Sequence, residues 1–394
     1  MQLDKIQAAL REAQIDGWLF YDFHHRDALA YSILGLDIRK GTSRRWFYLI
    51  PAEGEPIKLS HKVEPTRLSP LPGRDEFYLA WRELHEKLKL MLGGRGKIAM
   101  QYSPMCNIPY ISVIDAGTVE LVRASGVEVV SSADLVQQFE ATLDDGGFES
   151  HRATGEIVQG VKDEAYALID RALKSGESLT EYQVREFILK GFADAGLTSE
   201  GAVPIVGFND HPADPHFEPI EKGAYAIKQG DTILIDLWAR TIEPVGVYYD
   251  VTWCGYAGES PPAKYLEIWN AVCAGRDAAL NFVRERMQAG QPTAGWEVDQ
   301  VCRDVVDKSG YGEAFLHRTG HSIGTSVHGN GANIDNLETK DERRLTPGIC
   351  FSIEPGIYLA DEMAVRTEID LFIRPSGEVE VCGPIQKELI CVGC

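Results

Sequence analysis

Two pairs of acidic residues interrupt apolar stretches in the second half of the chain. Asp236 lies in ILIDLW and Asp250 in YYDVTW, fourteen residues apart, and Glu354 in SIEPGIY and Glu368 in VRTEID have the same spacing. A hairpin closing between the members of each pair would set their carboxylates opposite each other. Four carboxylates in apolar strands repel one another unless they are protonated or bound to metal. The pattern therefore predicts a divalent-cation site, with carboxylates that face solvent as the alternative.

The segment HRTGHSIGTSVHG places His317, His321 and His328 within thirteen residues. His317 and His321 are four residues apart, but Gly320 and Gly324 disfavour a helix, so this is not a helical zinc-binding motif. One neutral imidazole can complete a carboxylate metal site. The other two can then handle protons and stabilise developing negative charge.

The elements that must position these residues occur in an order that appears twice. The helical patterns GEIVQGVKDEAYALIDRALKSG and LTEYQVREFILKGFADAG precede the first acidic strand pair, and Thr180 with Gln183 forms a capping box for the second helix. The patterns KYLEIWNAVCAGRDAALNFVRERMQAG and GWEVDQVCRDVVDKSG precede the other strand pair. The repeated helix-helix-strand-strand order predicts a duplicated α+β domain packed in two layers.

The first part of the chain alternates helical and strand-like runs and predicts a smaller α/β domain. We place the boundary near residue 150, which gives domains at 1–150 and 151–394. His24, His25 and Arg26 stand together in the first domain. We favour a polar surface turn for these three residues over a contact with substrate.

Composition limits the classes of partner and location. The length of 394 residues favours two domains. The formal charge of -20 disfavours nucleic acid as a partner. The sequence contains no apolar run long enough to span a membrane, and we expect a cytoplasmic protein.

Its eight scattered cysteines fit reduced thiols. Cys391 and Cys394 have zinc-ribbon spacing but lack a second pair, so a loose tail is favoured over zinc.

The motifs ILIDLW, YYDVTW, RTGHSIG, SIEPGIY and VRTEID, in this order, resemble the five-ligand pattern of the pita-bread metallopeptidases. That family includes aminopeptidase P, prolidase and methionine aminopeptidase, and the resemblance covers the domain at 151–394. The smaller α/β domain is similar to that of aminopeptidase P, prolidase and creatinase. Creatinase lacks the ligands that are intact here, so the resemblance points to an Xaa-Pro peptidase.

The resemblance implies a centre with two divalent metal ions. Asp236 would chelate one metal, Asp250 and Glu368 would bridge both, and His321 and Glu354 would complete the second site. The oxygen-rich ligand set favours Mn²⁺, with Co²⁺, Zn²⁺ and Fe²⁺ as alternatives. Water activated between the cations would attack the carbonyl before proline, and Glu354 would receive its proton.

The resemblance also implies residues that contact the substrate. His317 and His328 would act as donors near the substrate and the tetrahedral oxyanion. His216, in the PH pair of NDHPADPHFEP, would contact the carbonyl or the leaving group, with His211 as the alternative. Arg366 would pair with a ligand carboxylate or a substrate carboxylate, which we favour over a surface salt bridge.

We therefore predict a dinuclear metallopeptidase that cleaves short Xaa-Pro peptides, as a dipeptidase or an aminopeptidase, in a homodimer. A related amide or C-N hydrolase for a small metabolite is the first alternative, and a non-catalytic binding protein is the second. Gly329 and Ile369 stand where the family often has acidic residues. These departures keep the metabolite alternative open, because specificity resides in the loops that form the pocket.

Overall fold

A computed structural model of the chain describes residues 2–243 and 245–394. The chain divides into two compact units, Met1–Glu140 and Ala141–Cys394. No helix among the described residues is long and apolar enough to cross a membrane.

The first unit is a mixed sheet with apolar side chains on both faces. The strand order is β4-β3-β2-β1-β5-β6, with β1/β2 and β2/β3 antiparallel and the other pairs parallel. Because successive side chains of a strand point to opposite faces, Trp18 and Phe20 pack into one core and Leu19 and Tyr21 into another. The elements are α1 (Leu3–Glu12), β1 (Gly17–Asp22), α2 (Ala28–Leu34), β2 (Trp46–Pro51), β3 (Ile57–His61), β4 (Arg74–Tyr78), α3 (Trp81–Leu92), β5 (Lys97–Met100), α4 (Ala116–Arg123), β6 (Glu128–Ser131) and α5 (Ala133–Val136).

The segment after β1 is a polar turn, as predicted. His24 and His25 both have left-handed backbone conformations, with φ of 63° and 60°. The buried carboxylate of Asp22 accepts hydrogen bonds from the backbone N–H groups of His25 (3.0 Å) and Arg26 (2.7 Å) and from the hydroxyl of Tyr31 (2.7 Å). The turn is therefore held by its own unit, as an Asx-type turn is.

The second unit repeats helix, helix, strand, strand, as the sequence predicted. Its sheets have the orders β17-β10-β9-β7 with β8 on β9, β11-β12-β15-β16, and β13-β14. The elements are α6 (Asp145–Ser175), α7 (Glu181–Asp194), β7 (Leu197–Thr198), β8 (Ile205–Phe208), β9 (Thr232–Thr241), β10 (Tyr249–Ala257), α8 (Ala263–Gln288), α9 (Gly295–Lys308), β11 (Ser322–Ile323), β12 (Cys350–Ile353), β13 (Gly356–Leu359), β14 (Met363–Arg366), β15 (Ile369–Ile373), β16 (Val379–Cys382) and β17 (Ile390–Val392).

The register of the first acidic hairpin differs from the prediction. Asp236 pairs with Thr252, and Asp250 pairs with Trp238, so the two aspartates are diagonal neighbours on one face and not directly opposite. The prediction assumed that the hairpin closes midway between the aspartates, whereas the observed ladder is displaced from that centre. Pro244, inside the predicted TIEPVG turn, lies outside the described residues.

The second acidic hairpin is interrupted where the glutamates lie. Ile353 pairs with Ile369 and Gly356 with Arg366, so the register places Glu354 opposite Glu368, between two ladders. Pro355 follows Glu354 and has no backbone N–H to donate, which accounts for the break. Each glutamate thus lies at the end of a strand and is free of the ladder.

The carboxyl-terminal segment is docked, so the predicted loose tail is wrong. β17 pairs with β10, and the N–H of Gly393 donates to Asp170 Oδ1 (2.8 Å). Gln229 Nε2 donates to the carbonyl of Gly393 (2.8 Å). These hydrogen bonds hold the residues between Cys391 and Cys394 against the second unit.

Close packing of α6 on β10 predicts different effects for two glycines of the same helix. A Cβ atom on Gly155 would lie 2.6 Å from the ring of buried Tyr249, whereas a Cβ on Gly160 would meet no atom within 4 Å. Gly155→Ala should lower the free energy of unfolding by about 1–3 kcal/mol through overpacking. Gly160→Ala should raise it by about 0.5–1 kcal/mol, because alanine loses less backbone entropy. Urea unfolding of both variants checks this, and equal shifts would contradict the packing argument.

Candidate metal centre

The first half of the second unit contributes two buried aspartates. Asp236 on β9 and Asp250 on β10 are 7% and 5% exposed. The N–H of Asp250 donates to Oδ2 of buried Asp370 (2.9 Å), which fixes the backbone of β10 against β15. Two residues further along β10, the hydroxyl of Thr252 donates to Glu368 Oε2 (2.9 Å). The two halves therefore meet through hydrogen bonds that end on or beside predicted ligands.

The second half contributes an imidazole and two glutamates. His321 precedes β11, and its backbone N–H donates to Ser352 Oγ (3.0 Å). Its Nδ1 lies 3.1 Å from the carbonyl of Ser322. A carbonyl can only accept, so Nδ1 carries the proton and Nε2 presents its lone pair. Nε2 lies 3.3 Å from Glu354 Oε1 and 3.7 Å from Asp250 Oδ2.

Three of the five predicted ligands form one compact group. One ligand atom from each of Asp250, His321 and Glu368 lies within 4.8 Å of the other two. Glu354 lies beside this group, because its Oε1 is 3.3 Å from Nε2 of His321. Asp236 accepts a hydrogen bond from Arg366 Nη2, and its other oxygen remains buried. The structure thus brings all five residues to one place.

Several carboxylate oxygens of the predicted ligands lack hydrogen-bond partners. Oδ1 of Asp236, Oδ1 of Asp250 and Oε1 of Glu368 are buried without a hydrogen-bond partner among the described residues. The pKa values of Asp250 and Glu368 are raised well above their usual range. Burial is the larger cause, and repulsion from neighbouring carboxylates adds to it. Oxygen atoms of this kind, beside an imidazole lone pair, fit divalent cations with oxygen and nitrogen ligands. The donor set therefore fits the implied metal.

Glu354 differs electrostatically from the other carboxyl groups. Burial acts to raise its pKa, but the imidazoles of His321 and His317, when protonated, and the permanently charged guanidinium groups of Arg366 and Arg318 outweigh burial, so the pKa lies below its usual value. Ser352 Oγ donates to Glu354 Oε1 (3.1 Å). Glu354 is thus kept ionised, as a group that accepts a proton must be.

Tyr358 connects His317 to Arg366. His317 Nδ1 lies 2.6 Å from the carbonyl of Arg318, so it carries the proton, and Nε2 accepts from the hydroxyl of Tyr358 (2.7 Å). The same hydroxyl accepts from Arg366 Nη1 (2.8 Å). Burial lowers the pKa of His317 to about 4, which keeps the imidazole neutral. Both ring nitrogens of His317 are therefore engaged by the protein.

His328 and His216 lie on more open segments. The His328 ring is 4.4 Å from the His321 ring, and His328 is an exposed residue. His216 is exposed, and the carbonyl of its neighbour Pro215 accepts from Arg366 Nη1 (3.5 Å). His211, the alternative to His216, instead bonds the buried carboxylate of Glu181 through Nδ1 (2.8 Å). The two histidines of this segment therefore have different surroundings.

A family model described as metallopeptidase family M24 matches residues 149–375, more than half of the chain. The chain belongs to metallopeptidase family M24. The fold and family expected from the sequence, including the pita-bread domain, are confirmed. The family assignment gives the buried group of carboxylates and imidazole a chemical context, because a metallopeptidase requires ligands of these types.

Individual relatives agree with the family. A probable dipeptidase, PepE, from Mycobacterium tuberculosis is 30% identical over 261 residues, which is 66% of this chain and 64% of that protein. The match thus spans less than two thirds of that relative. Among solved structures, dipeptidase PepE from Mycobacterium ulcerans has a TM-score of 0.69 at 23% identity, covering 99% of this chain and 97% of its own. An Xaa-Pro dipeptidase from Bacillus anthracis has a TM-score of 0.62 at 22% identity, covering 99% of each chain. These structures share the fold.

Sequence reasoning assigned no role to Tyr358, Thr252 or Asp370. Thr252 lies two residues after Asp250 in YYDVTW, and Tyr358 is the last residue of SIEPGIY, two residues after Gly356. Residues two apart on a strand share a face. Asp370 follows Glu368 at the same spacing. Alternation along a strand shows that these side chains lie on the same face as a neighbouring residue. Which group each of them contacts depends on how the two halves of the second unit pack together.

The hydroxyl of Tyr358 should contribute measurably to stability. Tyr358→Phe leaves Arg366 Nη1 and His317 Nε2 each without this partner, so we expect the free energy of unfolding to fall by about 1–3 kcal/mol. Tyr311→Phe is the matched control, because the Tyr311 hydroxyl bonds Glu267 at the surface (2.9 Å). The control should change stability by less than about 0.5 kcal/mol. Urea unfolding in the presence of a chelator measures both, and equal losses would contradict the buried network.

Proposed function

We propose that the chain hydrolyses the Xaa-Pro bond of short peptides with two divalent metal ions, most favourably Mn²⁺. The observation that carries the proposal is the group of Asp250, His321 and Glu368, with unpaired buried carboxylate oxygens, in a member of a metallopeptidase family. The names of relatives, among them a probable dipeptidase and an Xaa-Pro dipeptidase, support the substrate class.

The five predicted ligands would hold the metal ions. Asp236 would bind one ion, Asp250 and Glu368 would be shared between both, and His321 and Glu354 would bind the other. Metal ions bound there would polarise the scissile carbonyl and lower the pKa of water. The protonated Nδ1 of His321 fits this role, because the backbone carbonyl of Ser322 directs Nε2 toward the carboxylates.

The remaining residues would orient the substrate and move protons. Glu354, whose pKa is lowered, would accept the proton of the attacking water and pass it to the leaving nitrogen. His328 and His216, on the exposed side, would contact the substrate and the developing oxyanion. Arg366 would hold Asp236, and through Tyr358 it would hold His317. Proline suits such a site, because its nitrogen has no N–H that a pocket must satisfy.

We further propose a cytoplasmic homodimer. The formal charge of -20 disfavours nucleic acid as a partner, because phosphate groups would be repelled. A solved structural neighbour, the X-prolyl aminopeptidase from Caenorhabditis elegans, is described as a cytosolic enzyme, which supports the same location for this chain. Size-exclusion chromatography with light scattering measures the oligomeric state directly.

Hydrolysis of matched peptides tests the proposed activity. Chelator-stripped protein should cleave an Xaa-Pro dipeptide or an Xaa-Pro-Xaa tripeptide only after Mn²⁺ is added. The same peptides with alanine in place of proline should be cleaved more slowly. The preferred length assigns dipeptidase or aminopeptidase. Two bound metal ions without cleavage of either peptide would favour the small-metabolite hydrolase, and absence of bound metal would contradict the centre itself.

Two histidine variants test the division of labour. His321→Ala should lower metal content, because it removes the single imidazole ligand, and should remove the rise in thermal midpoint that Mn²⁺ gives. A metal at one hundred times its dissociation constant stabilises a protein by about 2.7 kcal/mol. His328→Ala should retain both metal content and that rise while turnover falls about 10²-fold or more. Mass spectrometry of bound metal checks both, and equal metal loss would refute the assignment.

A further inference from the structure

A buried carboxylate outside the metal centre holds the segment that carries His216. Glu181 is the first residue of α7 and is fully buried. It accepts hydrogen bonds from the N–H of Phe208 (2.6 Å), Nδ1 of His211 (2.8 Å) and the N–H of Tyr225 (2.8 Å). These donors lie before and after His216 in the chain, so one side chain fixes the segment from both sides.

The imidazole of His211 is itself confined. Its ring stacks on Tyr225 with centroids 3.6 Å apart and planes inclined by 13°, and Phe217 lies 4.5 Å away. To donate to the Glu181 carboxylate, Nδ1 must carry the proton. The ring therefore links the carboxylate to two aromatic residues downstream of it. This arrangement gives an exposed segment the anchoring that exposed segments usually lack.

The same segment also reaches the metal centre. The carbonyl of Pro215 accepts a hydrogen bond from Arg366, whose guanidinium also bonds Asp236. His216 therefore lies between an anchor at Glu181 and a contact at Arg366. A displacement at the anchor would move His216 relative to the predicted ligands.

The second helix contributes further contacts to this segment. The N–H of Glu181 donates to the carbonyl of Tyr225 (3.1 Å), and Arg185 Nη1 donates to the carbonyl of Pro219 (2.6 Å). The capping box of Thr180 and Gln183 fixes the start of α7, and with it the position of Glu181. The anchor is therefore built on a rigid helix end.

We propose that Glu181 and His211 form a clamp that positions His216 and thereby governs how the substrate is held. The inference rests on the proposed function, in which His216 contacts the substrate. Glu181 and His211 are positioning residues, because they act through the segment and not on the reacting atoms. The clamp would matter most for substrate affinity, since a small misplacement of a contact group weakens binding and orientation.

Glu181→Gln tests the clamp with almost no change in shape. Glutamine has one acceptor oxygen and a donor NH₂ group, so a donor must face a donor where Glu181 now accepts. We expect KM for an Xaa-Pro peptide to rise about tenfold or more, with metal content unchanged. Amide hydrogen exchange over residues 209–225 should become faster. A purely stabilising role would reduce the fraction of active protein and leave KM unchanged.

Control variants keep the test decisive. Asp194→Asn removes an exposed pair with Lys190 on the same helix and should alter neither KM nor exchange. His211→Ala, at a partly exposed position, removes one donor and provides a milder variant if Glu181→Gln does not fold. In a His216→Ala background, Glu181→Gln should add less to KM than it adds to the wild type, because both changes act on one contact.

The outcomes separate the clamp from the proposed function. If the wild type cleaves no Xaa-Pro peptide, the proposed function fails, and unchanged amide exchange in Glu181→Gln would independently overturn the clamp. Faster exchange with unchanged KM would show that the segment does not govern the substrate and would also overturn the clamp. A rise in KM that follows loss of metal would overturn it as well.

Discussion

Repulsion among buried carboxylates is the constraint on which the second unit depends. Like charges in a poorly solvated interior repel strongly, so flexible segments would let them separate or protonate. The chain instead places Asp236 and Asp250 within paired strands and Glu354 and Glu368 at opposed positions between two ladders. Backbone hydrogen bonds of the ladders hold the two aspartates directly, and they hold the glutamates through the neighbouring pair Ile353 and Ile369. The same rigidity suits a cation site, because a preformed ligand set loses little entropy on binding.

The hydrogen bonds that hold the carboxylates also join the two halves. Thr252 on β10 accepts from Arg366 and donates to Glu368, while its carbonyl accepts the N–H of Glu368 (3.2 Å). Asp370 accepts the N–H of Asp250 across the same seam. Breaking one of these bonds would leave a buried polar group without a partner and cost about 1–3 kcal/mol. Stability of the fold and geometry of the centre are therefore coupled at Thr252 and Asp370.

Repetition, spacing and polar residues in apolar runs were sufficient to predict the duplicated domain and to select the residues that gather at the centre. They were insufficient to predict the strand register, because the midpoint between two residues does not determine where a hairpin closes. The diagonal placement of Asp236 and Asp250 shows this. The docking of β17 was missed for a related reason. Its contacts with β10 and Asp170 join residues far apart in the chain, and local pattern carries no signal for such contacts. Tyr358 was visible in a strand motif, but its role depends on Arg366 and His317 meeting it from other elements.

The two halves use the same device to hold the segments that carry histidines. In the first half, Glu181 of the second helix accepts backbone N–H groups on both sides of the segment carrying His216. In the second half, Asp299 of the second helix, also fully buried, accepts the N–H of Thr319 (2.8 Å) and of Asn336 (2.9 Å) on both sides of His328. A carboxylate on a helix can satisfy several backbone donors at once, which is how an irregular segment obtains a defined conformation without a ladder. Strand ladders thus hold the two aspartates, and helix carboxylates hold the segments that carry His216, His321 and His328. Changes in the segment that carries His216 can alter what is bound while the ligand geometry stays intact.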